Sequence, residues 1–387
     1  MATSSVQPAD RAARRVRPRP LARQLLHVFP SFDIGGAQAR FAALAALLGD
    51  NYAHTVISLS GRCGAAALLP PGAPVAFLEP PAAGAGPLQR LTAYRDLLKR
   101  LSPELLVTYN WGAMEFAWAN LGLVPHLHME DGFGPEEASR QLARRVWGRR
   151  VGLAYSQLVV PSETLFELAL RRWRLPPGRV RHIPNAVPSQ HGYATRLEDL
   201  GLPLPPGRTR IAWAGALRAE KNPLRLLQAF APLRDQAILV VIGDGPERDR
   251  MLAEAARLGV GDSLQLVGRR SDARDLIMQC DLLALSSDTE QMPLVVLEAM
   301  DAGLAVASVD VGDVRRMLAE ENRPYVTPLD PVPLGRALAA LVESPAMRRA
   351  IGEANRRRAR SVYTTTRMVS AYDKLMRQLI AHPHAHA

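Results

Sequence analysis

Short apolar runs and amphipathic stretches alternate along this chain in two successive series. In the first, residues 25–29, 55–59, 105–109, 124–128 and 158–160 have the length and aliphatic content of buried strands. Between them the apolar positions recur at helical spacing, most clearly over 37–48 and 88–100. In the second series, strands are expected at 211–214, 237–242, 264–266, 282–285 and 305–307. Its helices are expected at 222–230, 247–258, 272–278, 293–302 and 333–341, with a further helical pattern at 364–380. Strand–helix alternation implies α/β architecture: doubly wound parallel sheets covered on both faces and joined by right-handed crossovers. Between the series, residues 188–208 are rich in Pro and Gly and lack periodicity, which marks a linker. The division is then a tail at 1–22, a Rossmann-like domain at 23–188, a linker at 189–207, a second Rossmann-like domain at 208–363 and a terminal segment at 364–387. Two such domains would face one another across a cleft, where ligand sites prefer to form.

The stretch that carries most chemistry is 286–303, which places seven residues between Glu290 and Glu298. The apolar run before it reads as a buried strand, and Pro293 suits the first helical position because its missing N–H would be unpaired there anyway. Glu290 then lies in the strand-to-helix loop and Glu298 on the second helical turn. With Pro293 and Leu294 opening the helix, the unpaired N–H groups of its first turn would face the same crevice as both carboxylates. That crevice suits a ligand with hydroxyls at both ends and phosphate between them, as in a nucleotide-sugar. The spacing alone also fits a helix-start charge at Glu290 and a solvated face at Glu298. Upstream, Gly35 and Gly36 follow one strand and open one helix, a second place where backbone can close on phosphate. Gly243, in the Gly-Asp-Gly-Pro run after another strand, reads first as a tight-turn glycine and second as a wall for the nucleotide.

The stretch resembles the E-x7-E motif of retaining glycosyltransferases, in particular glycosyltransferase family four with its GT-B fold. The resemblance runs from about Leu25 to Tyr363 through blocks in the family's order. These begin at His27 to Gln38, continue at Val159 to Thr164 and His182 to Val187, and then at Trp213 to Asn222, Val241 to Arg248 and Leu266 to Gly268. It implies transfer of a hexose-type sugar from a nucleoside-diphosphate sugar, with the C-terminal helix crossing back onto the first domain. In the loop of Gly215, Lys221 is the expected cation for the departing phosphate and Arg218 the second, since a guanidinium grips phosphate oxygens in pairs. Many members carry arginine directly after that glycine; here Ala216 stands there. Glu298 is expected to hold the ribose hydroxyls and Glu290 the donor sugar, with Gln291 where the family usually has glycine. A family histidine near the sugar corresponds to His128 in one register and Asp131 in the other. Retention would need no protein nucleophile, and no cofactor or metal ion is expected. The implied acceptor is a saccharide or lipid-linked saccharide of surface polysaccharide or lipopolysaccharide assembly. An epimerase or phosphorylase of the same architecture is the alternative among enzymes. A catalytically silent nucleotide-sugar binding protein, which Ala216 and Gln291 would suit, is the alternative outside them.

Composition narrows the setting. Apolar residues at 48% and charged residues at 22% are those of an ordinary globular chain. Cys63 and Cys280 are far apart and lack metal spacing, so neither a disulfide framework nor a zinc site is implied. No run is apolar enough to span a bilayer and the start lacks a signal-peptide core, so a cytoplasmic location is expected. The net charge of +11 gathers in an Arg-rich, disorder-prone start, in Arg140, Arg144, Arg145, Arg149 and Arg150, and in Arg171, Arg172, Arg174, Arg179 and Arg181. Compositional bias accounts for this as well as attraction to an anionic membrane surface does. No nucleic-acid module or aromatic stacking signature is present, so no nucleic acid partner is expected. His382, His384 and His386 read as a tail and not as a metal site.

Overall fold

The computed structural model describes residues 22–81, 84–133, 137, 141–187 and 195–382. The Arg-rich start, Arg140, residues 189–194 of the linker, and His384 and His386 lie outside the described residues. The first sheet contains β1 (Arg23–Phe29), β2 (Tyr52–Ser58), β3 (Val75–Leu78), β4 (Leu105–Tyr109), β5 (His126–Met129), β6 (Gln157–Val160) and β7 (Val180–His182). Its order is β3-β2-β1-β4-β5-β6-β7, and every pairing is parallel. The second contains β8 (Thr209–Ala214), β9 (Ala237–Ile242), β10 (Leu264–Gly268), β11 (Leu282–Leu285), β12 (Ala305–Val309) and β13 (Val326–Thr327), ordered β10-β9-β8-β11-β12-β13 and again parallel. Chain order reverses between β1 and β4 and between β8 and β11, which opens a crevice beyond the carboxyl ends of those strands.

The first domain is covered by α1 (Gly36–Leu48), α2 (Pro87–Leu101), α3 (Met114–Asn120), α4 (Ala143–Gly152) and α5 (Glu163–Arg171). The second carries α6 (Pro223–Phe230), α7 (Arg248–Leu258), α8 (Ala273–Ile277), α9 (Leu294–Ala302), α10 (Val314–Met317), α11 (Pro331–Glu343) and α12 (Pro345–Val362). The last helix, α13 (Thr365–Ala381), returns to the first domain and buries Met368, Tyr372, Leu375, Met376 and Leu379 against α1 and its sheet. Both chain crossings occur side by side: the Val187 amide donates to the Tyr363 carbonyl at 2.9 Å, and the Thr365 hydroxyl to the Val187 carbonyl at 2.8 Å. Each sheet has its own apolar core, and strands such as β9 and β12 are buried along their whole length, which is why they read as unbroken apolar runs.

One expectation is corrected here. Pro293 is the residue before α9 and not its first helical residue, because its ψ of 124° is extended. Within the second arginine cluster Arg149 is turned inward, while Arg144 is exposed and Arg145 and Arg150 are half-buried. Arg149 is fully buried, 3.0 Å from Glu130 and 3.3 Å from Glu137, with Arg145 at 3.0 Å from Glu137. Burial works against the Glu130 charge, but Arg149 and His128 more than offset it and hold the carboxyl below its ordinary range. Arg150 lies along α4 and donates to the carbonyls of Trp173 and Arg172.

Candidate active site

The crevice wall on the second domain is made by two loops stitched together. After β8 the chain passes Gly215 and turns through Ala219–Lys221 to Asn222, whose φ of 46° and side-chain bond to the Arg225 amide start α6. After β11 it runs from Ser286 to Pro293. The Lys221 ammonium lies 2.6 Å from Glu290 Oε1, which also accepts from the Ser287 hydroxyl at 2.8 Å. Behind that pair, Arg225 meets Asp288 at 2.7 Å, and the Asn222 amide group reaches the same carboxylate at 3.1 and 3.2 Å. The Asp288 amide donates to the Glu220 carbonyl at 2.8 Å, and the Ser286 hydroxyl to the Lys221 carbonyl at 2.9 Å. Lys221 and Glu290 are therefore fixed in place by backbone as well as charge. Arg218, the second expected cation, stands 64% exposed with Glu220 at 3.9 Å and is not drawn into this network.

Gly243 belongs to the scaffold of this wall. A Cβ there would overlap the Gly215 carbonyl, and one on Gly245 would overlap Leu217. These glycines let the loops after β8 and β9 touch, as the Gly215 amide to Ile242 carbonyl bond at 3.1 Å records.

Across the crevice, α1 starts at Gly36 with no side-chain cap and no acid in its first turn. α9 starts the same way. The two starts face each other: a Cβ on Gly36 would sit 3.4 Å from Leu294 Cδ1. Opposed, uncapped helix starts gather unpaired N–H groups and positive potential where a diphosphate would lie. Glu298, one turn after Leu294, shares its helix face. Burial pushes the Glu298 carboxyl up to about 7, with Arg274 acting in the other direction. Among the described residues no side chain donates a hydrogen bond to it, while Arg274 is held by Asp301 at 2.6 Å.

Strand alternation in β5 puts His128 and Asp131 on opposite sides. His126, His128 and Glu130 point to the side of Thr108, Ser156 and Arg149. His128 is fully buried, 2.7 Å from Thr108 Oγ1 and 3.6 Å from Glu130, so the expectation that it faces the cleft is corrected. Asp131 falls on the opposite side, where Arg40 holds both of its oxygens at 2.5 and 2.8 Å. The following Gly132 lies against Gln291, whose Cγ would be 3.4 Å from a Cβ there. Sequence reasoning missed Arg40, Ser162, Asn185 and Asp313. Ser162 and Asn185 sit in the two blocks quoted above and contact the second domain at Gln291 and Met292. The one signal for Arg40 is a lone arginine within the apolar run of α1.

Residues 34–191 match the family described as Glycosyltransferase Family 4, and residues 201–358 match Glycosyl transferases group 1. Each half of the chain is thus similar to a glycosyltransferase family. The N-acetyl-alpha-D-glucosaminyl L-malate synthase of Bacillus anthracis is 26% identical over 161 residues, covering 41% of this chain and 42% of the relative. The D-inositol 3-phosphate glycosyltransferase of Streptomyces coelicolor is 25% identical over 288 residues, covering 66% of this chain and 62% of the relative. The chain thus spans less than two thirds of the length of these curated relatives. An Anabaena protein, HepE, solved with UDP and glucose superimposes with a TM-score of 0.78 at 18% identity, covering 92% of this chain and all of that one, which establishes the GT-B fold.

Proposed function

We propose that this chain moves a hexose-type sugar from a nucleoside-diphosphate sugar to a saccharide or lipid-linked saccharide acceptor, with retention of anomeric configuration. The observation that carries the reading is the Lys221–Glu290 pair, 2.6 Å apart and braced by two loops, beside the opposed starts of α1 and α9. In this reading the donor diphosphate lies between those helix starts. Lys221 and Arg218 meet the charge that grows on the leaving phosphate, and no metal ion is assigned a part. Glu298 takes the ribose hydroxyls. Glu290 orients the sugar, with its Lys221 contact loosening as the ammonium turns to phosphate. The bond from anomeric carbon to phosphate oxygen breaks, the acceptor oxygen bonds to the same face, and its proton passes to the departing phosphate. The Anabaena neighbour was solved with UDP, which makes uridine nucleotides the first probes. A thermal-shift panel of nucleoside diphosphates and nucleotide-sugars on wild type and Lys221→Ala tests the reading, followed by acceptor screening with product stereochemistry. Base-selective stabilisation reduced in the variant supports it, and a wild type indifferent to every donor sinks it.

A membrane-surface role for the first domain belongs to the same proposal. Trp147, Val151 and Tyr155 are exposed, and Trp147 lies at a 210 Å³ cleft with Arg150, Arg171, Arg172 and Arg174. No helix among the described residues is long and apolar enough to cross a membrane. Tighter sedimentation with anionic than with neutral vesicles, weakened by Trp147→Ala, is the expected result; equal binding to both removes the lipid link.

A further inference from the structure

The amino end of α5 is completed by the other domain. Ser162 accepts from the Leu165 amide at 3.1 Å, the ordinary cap. The remaining free amides of that turn, on Glu163 and Thr164, donate to the carboxylate of Asp313 at 2.6 and 3.1 Å, and the Thr164 hydroxyl adds a bond at 2.6 Å. The Ser162 hydroxyl donates to Gln291 Oε1 at 3.1 Å. Asp313 is 5% exposed, so this contact is an interior one. Arg316 borders it, 3.3 Å from Asp313 and 3.4 Å from Glu163.

The same loop is joined to Glu290. The Asp313 amide donates to the Gln291 carbonyl at 2.8 Å. Gly312 has a φ of 55° and lies so close under the Glu290 carbonyl that a Cβ would overlap it. A shift of Asp313 is therefore transmitted directly into the backbone that carries Glu290. We propose that Asp313 is a positioning residue that couples closure of the two domains to placement of Glu290. With the domains together, the carboxylate sits on the positive end of α5 and the Glu290 loop is held. With them apart, the carboxylate and two amides turn to water and the loop loses its brace. The structural part stands on contacts alone; only its kinetic arm rests on the function proposed above.

Hydrogen exchange at the amides of residues 163–165 and small-angle scattering test it on the full chain, with Asp313→Asn and Asp313→Ala beside wild type. Wild type should protect the two Asp313-bonded amides and Asp313→Ala should lose that protection, with UDP as the added ligand and without it. Donor affinity should stay within about threefold while turnover falls about 10- to 100-fold, the size of charge-assisted bonds lost across a closure step. Asp313→Asn, which keeps the shape, should fall between. Thr164→Val, on the other side of the contact, should reproduce the loss of turnover in part and add little to Asp313→Ala. Unchanged protection and unchanged compactness in Asp313→Ala would overturn the proposal, whether or not any donor binds. If the alanine variant fails to fold, Asp313→Asn and Thr164→Val decide by the same measurements.

Discussion

Glu298 lets donor binding be followed through a proton. Burial raises its carboxyl to about 7. Ribose hydroxyls that donate to it need the ionised form, so binding expels the proton wherever the free site holds one. With a pKa near 7, about one site in eleven is ionised at pH 6 and about ten in eleven at pH 8. Donor affinity should therefore rise about tenfold between those values, or roughly 1.4 kcal/mol. The ligand should be a nucleotide-sugar, because the terminal phosphate of a free nucleoside diphosphate titrates near pH ~6 and would add its own slope. Calorimetry in two buffers of different ionisation enthalpy counts the proton directly. Glu298→Gln should bind about 1.5–3 kcal/mol more weakly at pH 8, and its affinity should be flat across the range. The free protein shows the opposite sign. A carboxyl raised in the folded state favours folding most below the unfolded value of 4.5, and this contribution is lost as pH rises through about 7. Glu298→Gln should accordingly raise the unliganded melting temperature at pH 8 and leave it nearly unchanged below about pH 4. A wild-type affinity indifferent to pH between 6 and 8, or a glutamine variant that keeps the slope, would refute the assignment.

Lys221→Ala should lower turnover by about 10²- to 10³-fold, as loss of one preorganised charge at a leaving group does, with little change in melting temperature because the pair is partly exposed. Steady-state kinetics with the donor found in the thermal panel reads this, and a variant within fivefold of wild type would remove Lys221 from the chemistry. Gly243→Ala should cost more than about 2 kcal/mol in urea unfolding, since the methyl group meets a carbonyl that cannot move without parting two loops. An unfolding midpoint equal to wild type would contradict the packing described. His128→Gln should destabilise the first domain, yet turnover per folded molecule should be nearly unchanged, because the imidazole faces Thr108 and not the cleft. A folded His128→Gln that has lost turnover would return the histidine to the site.

What the sequence disclosed follows from how local each feature is. The central strands β4, β9 and β11 lie at the expected positions because both faces are buried and the apolar run has sharp ends. The edge strands β3, β7 and β13 were not expected; they are short, and β3 is mostly exposed, so no run announces them. α12 escaped notice for a different reason. It packs through Ile351 and the small or polar Gly352, Ala354, Asn355 and Ala359, and Gly352 presses on the Gly303 carbonyl, so closeness of backbone largely replaces a stripe of large apolar residues. In the candidate site, the loop and helix positions of Lys221, Glu290 and Glu298 were legible because one strand–loop–helix pattern fixes each of them. Asp313 and Ser162 were not, since their contacts join residues more than a hundred positions apart. His128 and Asp131 lie on opposite faces of the chain around β5, and the sequence left that register open.

Arg40 is where fold and site are hardest to separate, and one pair of substitutions separates them. Its side chain is 4% exposed and binds Asp131 through two bonds and Asn185 at 2.9 Å, with the Tyr372 ring of α13 at 6.0 Å. Asn185 in turn donates to the Met292 carbonyl at 3.1 Å, so this arginine links the returning helix, Asp131 and the second domain. Burial alone would favour a neutral guanidinium, but Asp131 reverses that and holds it charged. Arg40→Met should then cost about 3–5 kcal/mol because Asp131 is left without its counter-charge, and Asp131→Asn should cost as much because Arg40 is left without its own. Arg40→Met combined with Asp131→Asn removes both charges and should recover most of that stability, as judged by urea unfolding. Turnover then separates the two roles. If the double variant folds as wild type but stays slow, Asp131 touches substrate and Arg40 holds it there. If stability and turnover return together, the pair serves the fold alone and Asp131 leaves the site.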